Sequence, residues 1–415
     1  MGINLVPQII RWHDEGLTDA KGWIVIDSLN NAVASGGLFM HAEATEQEVQ
    51  SLAKEMTKKN ALQEPIIGGA KGGIRFDHKH PKRLEVLRRF LLANKEIIEK
   101  YWSTGADLNT NNDDIHQIVH SQLKLSSPFH SLSTFFKEKF GAENSTNSFY
   151  QAMAQPINSY FKLCEYASGF SVSTCIDYLC HPGIRIIVQG WGTVGSSLTY
   201  AQTAKQKNLI VAIIEKNYCL YDEQGLDILS LLDLRQQCNK CGHFDEDLFL
   251  LRVRAHCQLV VREEEESSES FLIACLYCEA ELFCPCANRY AITKAVANTL
   301  LTQTFKDQSN DAWIICGANS AYAGNEVKSL LLDGGVKLLP EWLSNSGNTL
   351  LYNQYLRCKD DKKNDGKYFL HTLSKRLLDF LEQVKQTANT TPSSLHNLSE
   401  ELIQRKIAIG KSHHA

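Results

Sequence analysis

A glycine-rich turn between a predicted strand and a predicted helix is the feature that most constrains the fold of this chain. The apolar run 184–189 leads directly into the sequence GWGTVG at 190–195. A helical pattern follows at 196–205, and a second apolar strand at 209–214 ends at Glu215. A strand, a G-x-G-x-x-G turn, a helix and an acidic residue after the next strand are together typical of a dinucleotide-binding unit. This pattern predicts a Rossmann-type parallel sheet.

The chemistry of this turn predicts which cofactor it binds. Its glycines let the backbone approach a pyrophosphate, which free N–H groups at the helix N-terminus stabilise. A carboxylate at Glu215 accepts hydrogen bonds from ribose hydroxyls and repels a 2′-phosphate, so NAD is predicted, with NADP disfavoured. The alternative is that Glu215 is only a solvated strand end. The residues predicted to contact the cofactor here are Gly190, Gly192, Thr193, Val194, Gly195 and Glu215.

Two later turns extend the predicted cofactor site. The predicted strands 280–284 and 312–316 are each followed by a short turn containing asparagine. Ligands of doubly wound sheets bind at the carboxyl ends of the strands. We therefore predict that Ala287, Asn288 and Asn319 lie at the nicotinamide end of the cofactor. The alternative is that the two asparagines only shape their turns.

A second glycine-rich segment, GGAKGG at 68–73, places Lys71 between two glycine pairs. We expect a loop here, because glycine permits positive φ and close approach of backbone to a ligand. Lys59 ends the apolar face of a helix predicted over 46–59, which begins with a capping box at Thr45. Two lysines at one apolar site lose solvation and repel each other, which lowers a lysine pKa and makes an amine usable as a base. The alternative for Lys59 alone is a lysine whose ammonium reaches solvent.

Other segments are less patterned. Asp107 follows in an irregular stretch, 103–110, and is either an acid–base group or a turn former. A helix is expected from Pro81 to near Tyr101. Residues 121–150 are rich in serine, phenylalanine and asparagine without clear periodicity, so a long irregular connection is expected.

Composition excludes several functional classes. The chain has 415 residues and a formal net charge of −4, so nucleic acid or an acidic membrane surface is not an expected partner. Early charged residues argue against a signal peptide, and no apolar run reaches membrane-spanning length. The 13 cysteines are expected to be reduced thiols of a cytoplasmic protein. Two C-x-x-C pairs have zinc-like spacing, but apolar surroundings favour core thiols, so no metal is predicted; the four cysteines are Cys238, Cys241, Cys275 and Cys278.

Together these segments resemble the glutamate, leucine, phenylalanine and valine dehydrogenases. The blocks that carry the resemblance include 36–77, 106–107, 190–195 and 317–319. The resemblance implies an α/β protein with an N-terminal catalytic and dimerisation domain, residues 1–160, joined by C-terminal helices 355–415 that pack back across the cleft. It implies a Rossmann domain over 161–354 and a homo-oligomer.

The resemblance also implies residue roles. Lys59 is similar to the lysine that binds the α-carboxylate, Lys71 to the catalytic lysine, and Asp107 to the catalytic aspartate. Asn345 is similar to an asparagine at the substrate backbone. The first glycine pair, Gly36 and Gly37, is expected beside the substrate. The implied reaction is reversible, NAD-dependent oxidative deamination of an L-amino acid to a 2-oxo acid and ammonia.

Several positions depart from the family pattern. Glutamate-specific members place a lysine where this chain has Ser35, and Phe39 replaces the usual arginine. An uncharged, apolar substrate side chain is therefore predicted, with glutamate as the alternative. Tyr166 replaces a threonine near the nicotinamide, and Asn348 replaces a glycine. These two changes keep open a further alternative, a catalytically retired homologue with a structural or regulatory role.

Overall fold

The computed structural model describes residues 8–15, 18–142, 146–205, 207–240, 243–287, 289–306, 311–358, 365–388 and 394–412. The chain divides into two compact units. Unit 1 comprises Met1–Met153, Thr349–Phe369 and Glu401–Ala415, and unit 2 comprises Ala154–Asn348 and Leu370–Glu400. The predicted α/β class with a Rossmann-type second domain is confirmed, whereas the predicted domain boundaries stay a prediction.

Unit 1 is built on a six-stranded mixed sheet. Its order is β1-β2-β5-β3-β6, with β4 also paired to β5. The central strand β5 is antiparallel to β2 on one side and parallel to β3 and β4 on the other. The strands are β1 (Gln8–His13), β2 (Lys21–Ile26), β3 (Ala34–Ser35), β4 (Leu38–His41), β5 (Gly68–Arg75) and β6 (Trp102–Ser103).

The expected glycine loop around Lys71 is wrong, because the segment is the central strand β5. None of its four glycines has positive φ. They are required by close packing instead: a Cβ at Gly69 would lie 2.1 Å from the backbone N of Thr57, and one at Gly73 would lie 2.5 Å from Val49. The glycines therefore let the helix carrying Thr57 lie directly against the strand.

The helices of unit 1 cover both faces of this sheet. The predicted helix over 46–59 is α1 (Glu46–Asn60), and the Thr45 side chain accepts a hydrogen bond from the Glu48 N–H at 3.2 Å. The helix expected from Pro81 divides at Asn94. The remaining helices up to the unit boundary are α2 (Arg83–Ala93), α3 (Lys95–Lys100), α4 (Asn112–Ile118), a π-helical turn (Val119–Leu123), α5 (His130–Phe140) and α6 (Thr146–Ala154).

The expected irregular connection over 121–150 is also wrong, because α5 and most of α6 lie there. Phe129, Phe136 and Phe149 are buried, and the rings of Phe129 and Phe149 lie 4.7 Å apart. Serine, phenylalanine and asparagine are weak helix formers, but burial of aromatic side chains overrides that weak local preference.

Unit 2 contains a seven-stranded sheet in the order β12-β9-β8-β7-β13-β14-β15. Its strands are β7 (Arg185–Gln189), β8 (Leu209–Ile214), β9 (Tyr218–Tyr221), β12 (Gln258–Val261), β13 (Leu282–Pro285), β14 (Trp313–Ile314) and β15 (Lys337–Leu338), and a separate hairpin is formed by β10 (Asn239–Lys240) and β11 (His243–Phe244). The five strands from β8 to β15 are parallel, whereas β9 and β12 are antiparallel additions. The chain reverses its direction of winding between β7 and β13, which is where ligands bind in this architecture.

Unit 2 also contains helices, and its sheet and helices share a buried apolar core of aliphatic, aromatic and cysteine side chains. The helices are α7 (Leu163–Leu179), α8 (Thr193–Thr203), α9 (Ile228–Gln237), α10 (Glu246–Val253), α11 (Ser268–Cys275), α12 (Lys294–Thr299), a π-helical turn (Leu300–Thr304), α13 (Asn325–Asp333) and α14 (Glu341–Ser344). The C-terminal helices are α15 (Gly347–Arg357), α16 (Gly366–Ala388) and α17 (Leu395–Ser412). In the part of the chain that the structure describes, no helix is long and apolar enough to span a membrane.

Candidate active site

The central feature of unit 1 is an ion pair between Lys71 and Asp107. Lys71 lies in the middle of β5, and its side chain is only 4% exposed, against 30% for that of Asp107. The Lys71 ammonium donates a hydrogen bond to Asp107 Oδ2. The structure thus brings together the two residues for which acid–base roles are predicted, in contact and largely shielded from water.

Asp107 is held in a fixed position by its own loop. Its backbone N–H donates to Leu38 O and to Thr110 Oγ1, each at 3.0 Å, and the Leu108 N–H donates to Asp107 Oδ1 at 2.6 Å. Burial alone would raise the pKa of Asp107. The Lys71 charge and hydrogen bond, the Leu108 N–H and the Lys59 charge outweigh burial and lower this pKa below 3.8. Asp107 is therefore an anion at neutral pH.

Lys59 reaches the same region from the last turn of α1. It is 5% exposed, and its positive charge acts on the Asp107 carboxylate. Helix α1 lies against β5 because of the glycines described above, so both lysines are fixed by the packing of one helix on one strand. Lys59 and Lys71 therefore lie in the same region of unit 1, as predicted. Both positive charges act on the negative charge of Asp107.

The glycine pair Gly36–Gly37 makes room for this arrangement. A Cβ at Gly36 would lie 1.6 Å from the carbonyl oxygen of Ala70, and one at Gly37 would lie 3.3 Å from Asp107 Oδ2. The Gly36 carbonyl also accepts a hydrogen bond from Trp102 Nε1 at 2.9 Å. These two positions must be small because the backbone and Asp107 approach them closely.

Ser35 belongs to a buried polar network that the sequence did not reveal. The Ser35 hydroxyl donates to Asn60 Oδ1 at 3.3 Å, and Asn60 Nδ2 donates to Gly68 O at 2.6 Å. Asn353 Nδ2 also donates to Asn60 Oδ1, at 3.1 Å. Asn60 and Asn353 are 0% and 3% exposed. This network is uncharged, and Asn353 joins it from a segment nearly 300 positions away in sequence.

In the predicted dinucleotide turn of unit 2, close packing requires glycine at Gly190 and Gly195 but not at Gly192. Gly190 has φ +92°, and a Cβ there would lie 2.3 Å from Ala287 Cβ. A Cβ at Gly195 would lie 1.9 Å from the Gly190 carbonyl oxygen, whereas one at Gly192 would meet only open space. The turn is therefore tight at both ends and open at Gly192, immediately before Thr193 and Val194 at the start of α8. This shape fits a pyrophosphate at a helix N-terminus.

Glu215 lies at the end of β8 beside this turn, and its Oε1 accepts a hydrogen bond from the Trp191 N–H. Its other carboxylate oxygen can accept a hydrogen bond from a ribose hydroxyl, so the residues present fit NAD. Arg235, which sequence reasoning missed, donates to the Trp191 carbonyl and stacks 5.1 Å from the Trp191 ring. Arg235 therefore fixes the turn from outside the motif.

The remaining predicted ligand-binding residues of unit 2 cluster at the carboxyl ends of the strands. Ala287 packs beside Gly190 at the reversal point of the sheet. Asn345 Nδ2 donates to Asn319 Oδ1 at 2.8 Å, which places these two asparagines in contact. Asn288 lies outside the described residues.

Two family models match the chain. "Glu/Leu/Phe/Val dehydrogenase, dimerisation domain" matches residues 7–123, and "Glutamate/Leucine/Phenylalanine/Valine dehydrogenase" matches residues 165–408. The chain belongs to the Glu/Leu/Phe/Val dehydrogenase family. It is therefore an amino acid dehydrogenase by family, an oxidoreductase class that acts on the carbon–nitrogen bond of amino acids.

Similar proteins include the NAD-specific glutamate dehydrogenase of Peptoniphilus asaccharolyticus, 25% identical over 82% of this chain and 74% of that relative. The catabolic NAD-specific glutamate dehydrogenase of Bacillus subtilis is 25% identical over 87% of this chain and 77% of that relative. Among solved structures, the leucine-bound form of the hetero-hexameric glutamate dehydrogenase from Thermus thermophilus has a TM-score of 0.70 and 18% identity, covering 98% of this chain and 90% of that one. That structural likeness shows the fold.

Tyr166 and the neighbourhood of Asn348, two departures from the family pattern, lie in closely packed parts of unit 2. Tyr166 lies in α7 in an aromatic cluster, with its ring 5.9 Å from that of Tyr200 and 5.5 Å from that of Phe170. Burial raises the pKa of Tyr166 to about 12, so it is a neutral phenol. Gly347, just before Asn348, is kept small because a Cβ there would lie 2.1 Å from the Ala167 carbonyl oxygen.

The cysteines of the two C-x-x-C pairs are partly or fully buried where they are described. Cys238 is buried, Cys275 and Cys278 pack against the core of unit 2, and Cys241 lies outside the described residues. Within the described ranges, no group of three or more His, Cys, Asp or Glu side chains is arranged to hold a metal ion.

Proposed function

We propose that this dehydrogenase catalyses the reversible NAD-dependent oxidative deamination of an L-amino acid with an uncharged, apolar side chain. The observation that carries the proposal is the arrangement of the buried Lys59 and Lys71 with the Asp107 carboxylate, beside the Gly36–Gly37 pair. Two buried cations and one partly exposed carboxylate are suited to bind an α-carboxylate and to move protons.

The proposed steps assign a separate task to each of these residues. Lys59 binds the substrate α-carboxylate as a positive charge. Hydride leaves the substrate α-carbon for the nicotinamide, which is the chemistry that bound NAD supplies, and an imine of the substrate remains. Lys71, in its deprotonated form, accepts a proton from water as that water attacks the imine carbon. Asp107 then relays that proton from the Lys71 ammonium to the departing ammonia.

The predicted preference for NAD rests on Glu215 beside the turn. Its carboxylate favours ribose hydroxyls and repels a 2′-phosphate, and NAD-specific relatives agree with this choice. We expect kcat/KM with NAD to exceed that with NADP by at least about tenfold, since repulsion between two like charges about 4 Å apart near a protein surface exceeds the roughly 1.4 kcal/mol that corresponds to tenfold. Initial rates with both cofactors measure this ratio. Equal or better use of NADP would reject the role of Glu215.

The uncharged network of Ser35, Asn60 and Asn353 supports an uncharged substrate side chain. A substrate carboxylate buried against it would meet amide and hydroxyl groups but no cation within the network, and an unpaired buried charge is costly. The second candidate substrate is glutamate, which the glutamate dehydrogenase relatives favour.

A panel of L-amino acids assayed for NADH production tests these two candidates. We expect an apolar amino acid to give the highest kcat/KM in the parent. Ser35→Lys should raise kcat/KM for glutamate and lower it for the apolar substrate, because it adds the missing cation, whereas the uncharged control Ser35→Met should not favour glutamate. Glutamate as the best substrate of the parent would overturn the apolar assignment. Absence of turnover with every amino acid would favour the retired-homologue alternative.

A homo-oligomer is the expected assembly. The matched dimerisation domain supports oligomerisation, and a Thermus relative is described as hetero-hexameric. We expect light scattering on the purified chain to report an integral multiple, two or more, of its 46.7 kDa mass. A mass of one chain at every concentration tested would contradict this prediction.

We also propose that the protein works in the cytoplasm. The cysteines that the structure describes are all free thiols, including several in contact with the core of unit 2. Free thiols are typical of proteins kept in a reducing compartment. Fractionation of cells that produce the chain, with the activity followed in each fraction, tests this location.

A further inference from the structure

A row of basic side chains crosses the sheet of unit 1 away from the Lys71 site. The strand registers place His13 of β1 opposite Lys21 of β2, Lys21 opposite Arg75 of β5, and Arg75 opposite His41 of β4. Residues directly opposite each other on neighbouring strands project to the same face. Four basic residues therefore lie in one line across four strands.

The arrangement is electrostatically unfavourable by itself. Like charges directly opposite each other on paired strands destabilise a sheet. Lys21 and Arg75 form such a pair, and no ion pair to either side chain is found among the described residues. By contrast, Arg11, on the same strand as His13, is paired with Glu46 at 2.6 Å. An anionic ligand would offset the positive charge of Lys21 and Arg75, neither of which forms an ion pair among the described residues.

The row opens into a cavity of about 640 Å³. Lys21, Arg75 and Lys82 line it, together with Asp19, Asp77 and the largely buried Phe76. This volume far exceeds that of a single phosphate and suits a small organic ligand. The three cations can bind a phosphoryl group, whereas the two carboxylates can only accept hydrogen bonds when ionised.

We propose that this cavity binds a phosphorylated small molecule that also carries hydroxyl groups. Its phosphoryl oxygens are held by Lys21, Arg75 and Lys82, and its hydroxyls donate to Asp19 and Asp77. The site is distinct from the substrate-binding residues, since Arg75 and Lys71 are four residues apart on β5, about 13 Å along the strand. A sugar phosphate and free inorganic phosphate share the phosphoryl chemistry, and only the sugar phosphate uses the carboxylates.

Calorimetric titration of the full-length protein at low ionic strength tests this site, with ribose 5-phosphate and inorganic phosphate as probes. We expect ribose 5-phosphate to bind more tightly than inorganic phosphate. Arg75→Gln and Lys21→Gln should each weaken ribose 5-phosphate binding about tenfold or more. Lys95→Gln, which removes a charge at the start of α3 outside the cavity, should leave binding unchanged.

Thermal unfolding gives a second, independent measurement. Without ligand, Arg75→Gln should raise the Tm above that of the parent, because it removes the repulsion with Lys21. At one fixed concentration, ribose 5-phosphate should raise the Tm of the parent and of Lys95→Gln by more than that of Arg75→Gln. Binding that is absent at millimolar ligand, or equal in the parent and both cavity variants, would overturn the proposal. Inorganic phosphate binding as tightly as ribose 5-phosphate would overturn the role of the carboxylates.

Discussion

Replacing Lys71 with alanine is expected to lower kcat by about 10²- to 10⁴-fold, with a smaller effect on KM. This is the range that a positioned acid–base group contributes. The variant lacks the amine that accepts a proton from water as the water attacks the imine, whereas Lys59 is still present to bind the α-carboxylate. Steady-state kinetics on the best substrate from the amino acid panel measure the change.

Two other lysine variants test whether the loss of kcat is specific to Lys71. Lys59→Ala should mainly raise KM, although lost orientation of the substrate can lower kcat too. Lys58→Ala, one position away and paired with Glu55 at 3.2 Å, should leave both constants close to those of the parent. Near-parental kcat in Lys71→Ala would refute the proposed mechanism and favour the retired-homologue alternative.

The same variant has an expected effect on pH dependence through Asp107. In the parent, the lowered pKa of Asp107 means that its ionised form stabilises the fold above the unfolded-state pKa, and this contribution is lost as pH falls through the folded-state pKa. Both values lie at or below about 3.9, so the loss occurs in strong acid. Lys71→Ala removes the main favourable partner but not the burial, so the pKa of Asp107 rises. The acid transition in unfolding should then move to higher pH than in the parent.

Replacing Gly36 with alanine is expected to lower the free energy of unfolding by about 3 kcal/mol, the upper part of the usual range for overpacking. The new Cβ would lie 1.6 Å from the Ala70 carbonyl oxygen, which is backbone of β5 and cannot rotate away. Strands β3 and β5 must separate to admit it. Since Lys71 follows Ala70, activity should fall as well.

Gly105→Ala is the matched control, because its Cβ would meet its nearest neighbour, the Phe129 ring, at an ordinary 3.5 Å. Urea unfolding followed by circular dichroism gives the free energy of unfolding of the parent and both variants. We expect the free energy of unfolding of the control to differ from that of the parent by less than about 1 kcal/mol, because the new Cβ makes only ordinary contacts. A Gly36→Ala variant as stable as Gly105→Ala would show that the close approach of the two backbones is not required.

The amino-acid sequence by itself determined those parts of the protein that depend on neighbours along the chain. The turn from Gly190 to Gly195 follows a strand and precedes a helix, so its context is readable within about 30 residues. The helix carrying Lys59 is specified by its cap at Thr45 and its apolar face. Because these signals are local, the Rossmann-type unit, its turn and the lysine-bearing helix could be predicted.

Only the tertiary structure decided the features that join distant segments. The GGAKGG segment is a central strand because three other strands supply its hydrogen bonds, and no local signal distinguishes that from a loop. Asn353 meets Asn60, and Arg235 meets Trp191, across long sequence separations. Lys71 meets Asp107 for the same reason, since β5 and the Asp107 loop both pack against β4. Hydrogen bonds and ion pairs of this kind form only after the sheet has fixed which backbones are adjacent. The spacing of residues along the chain therefore does not predict them.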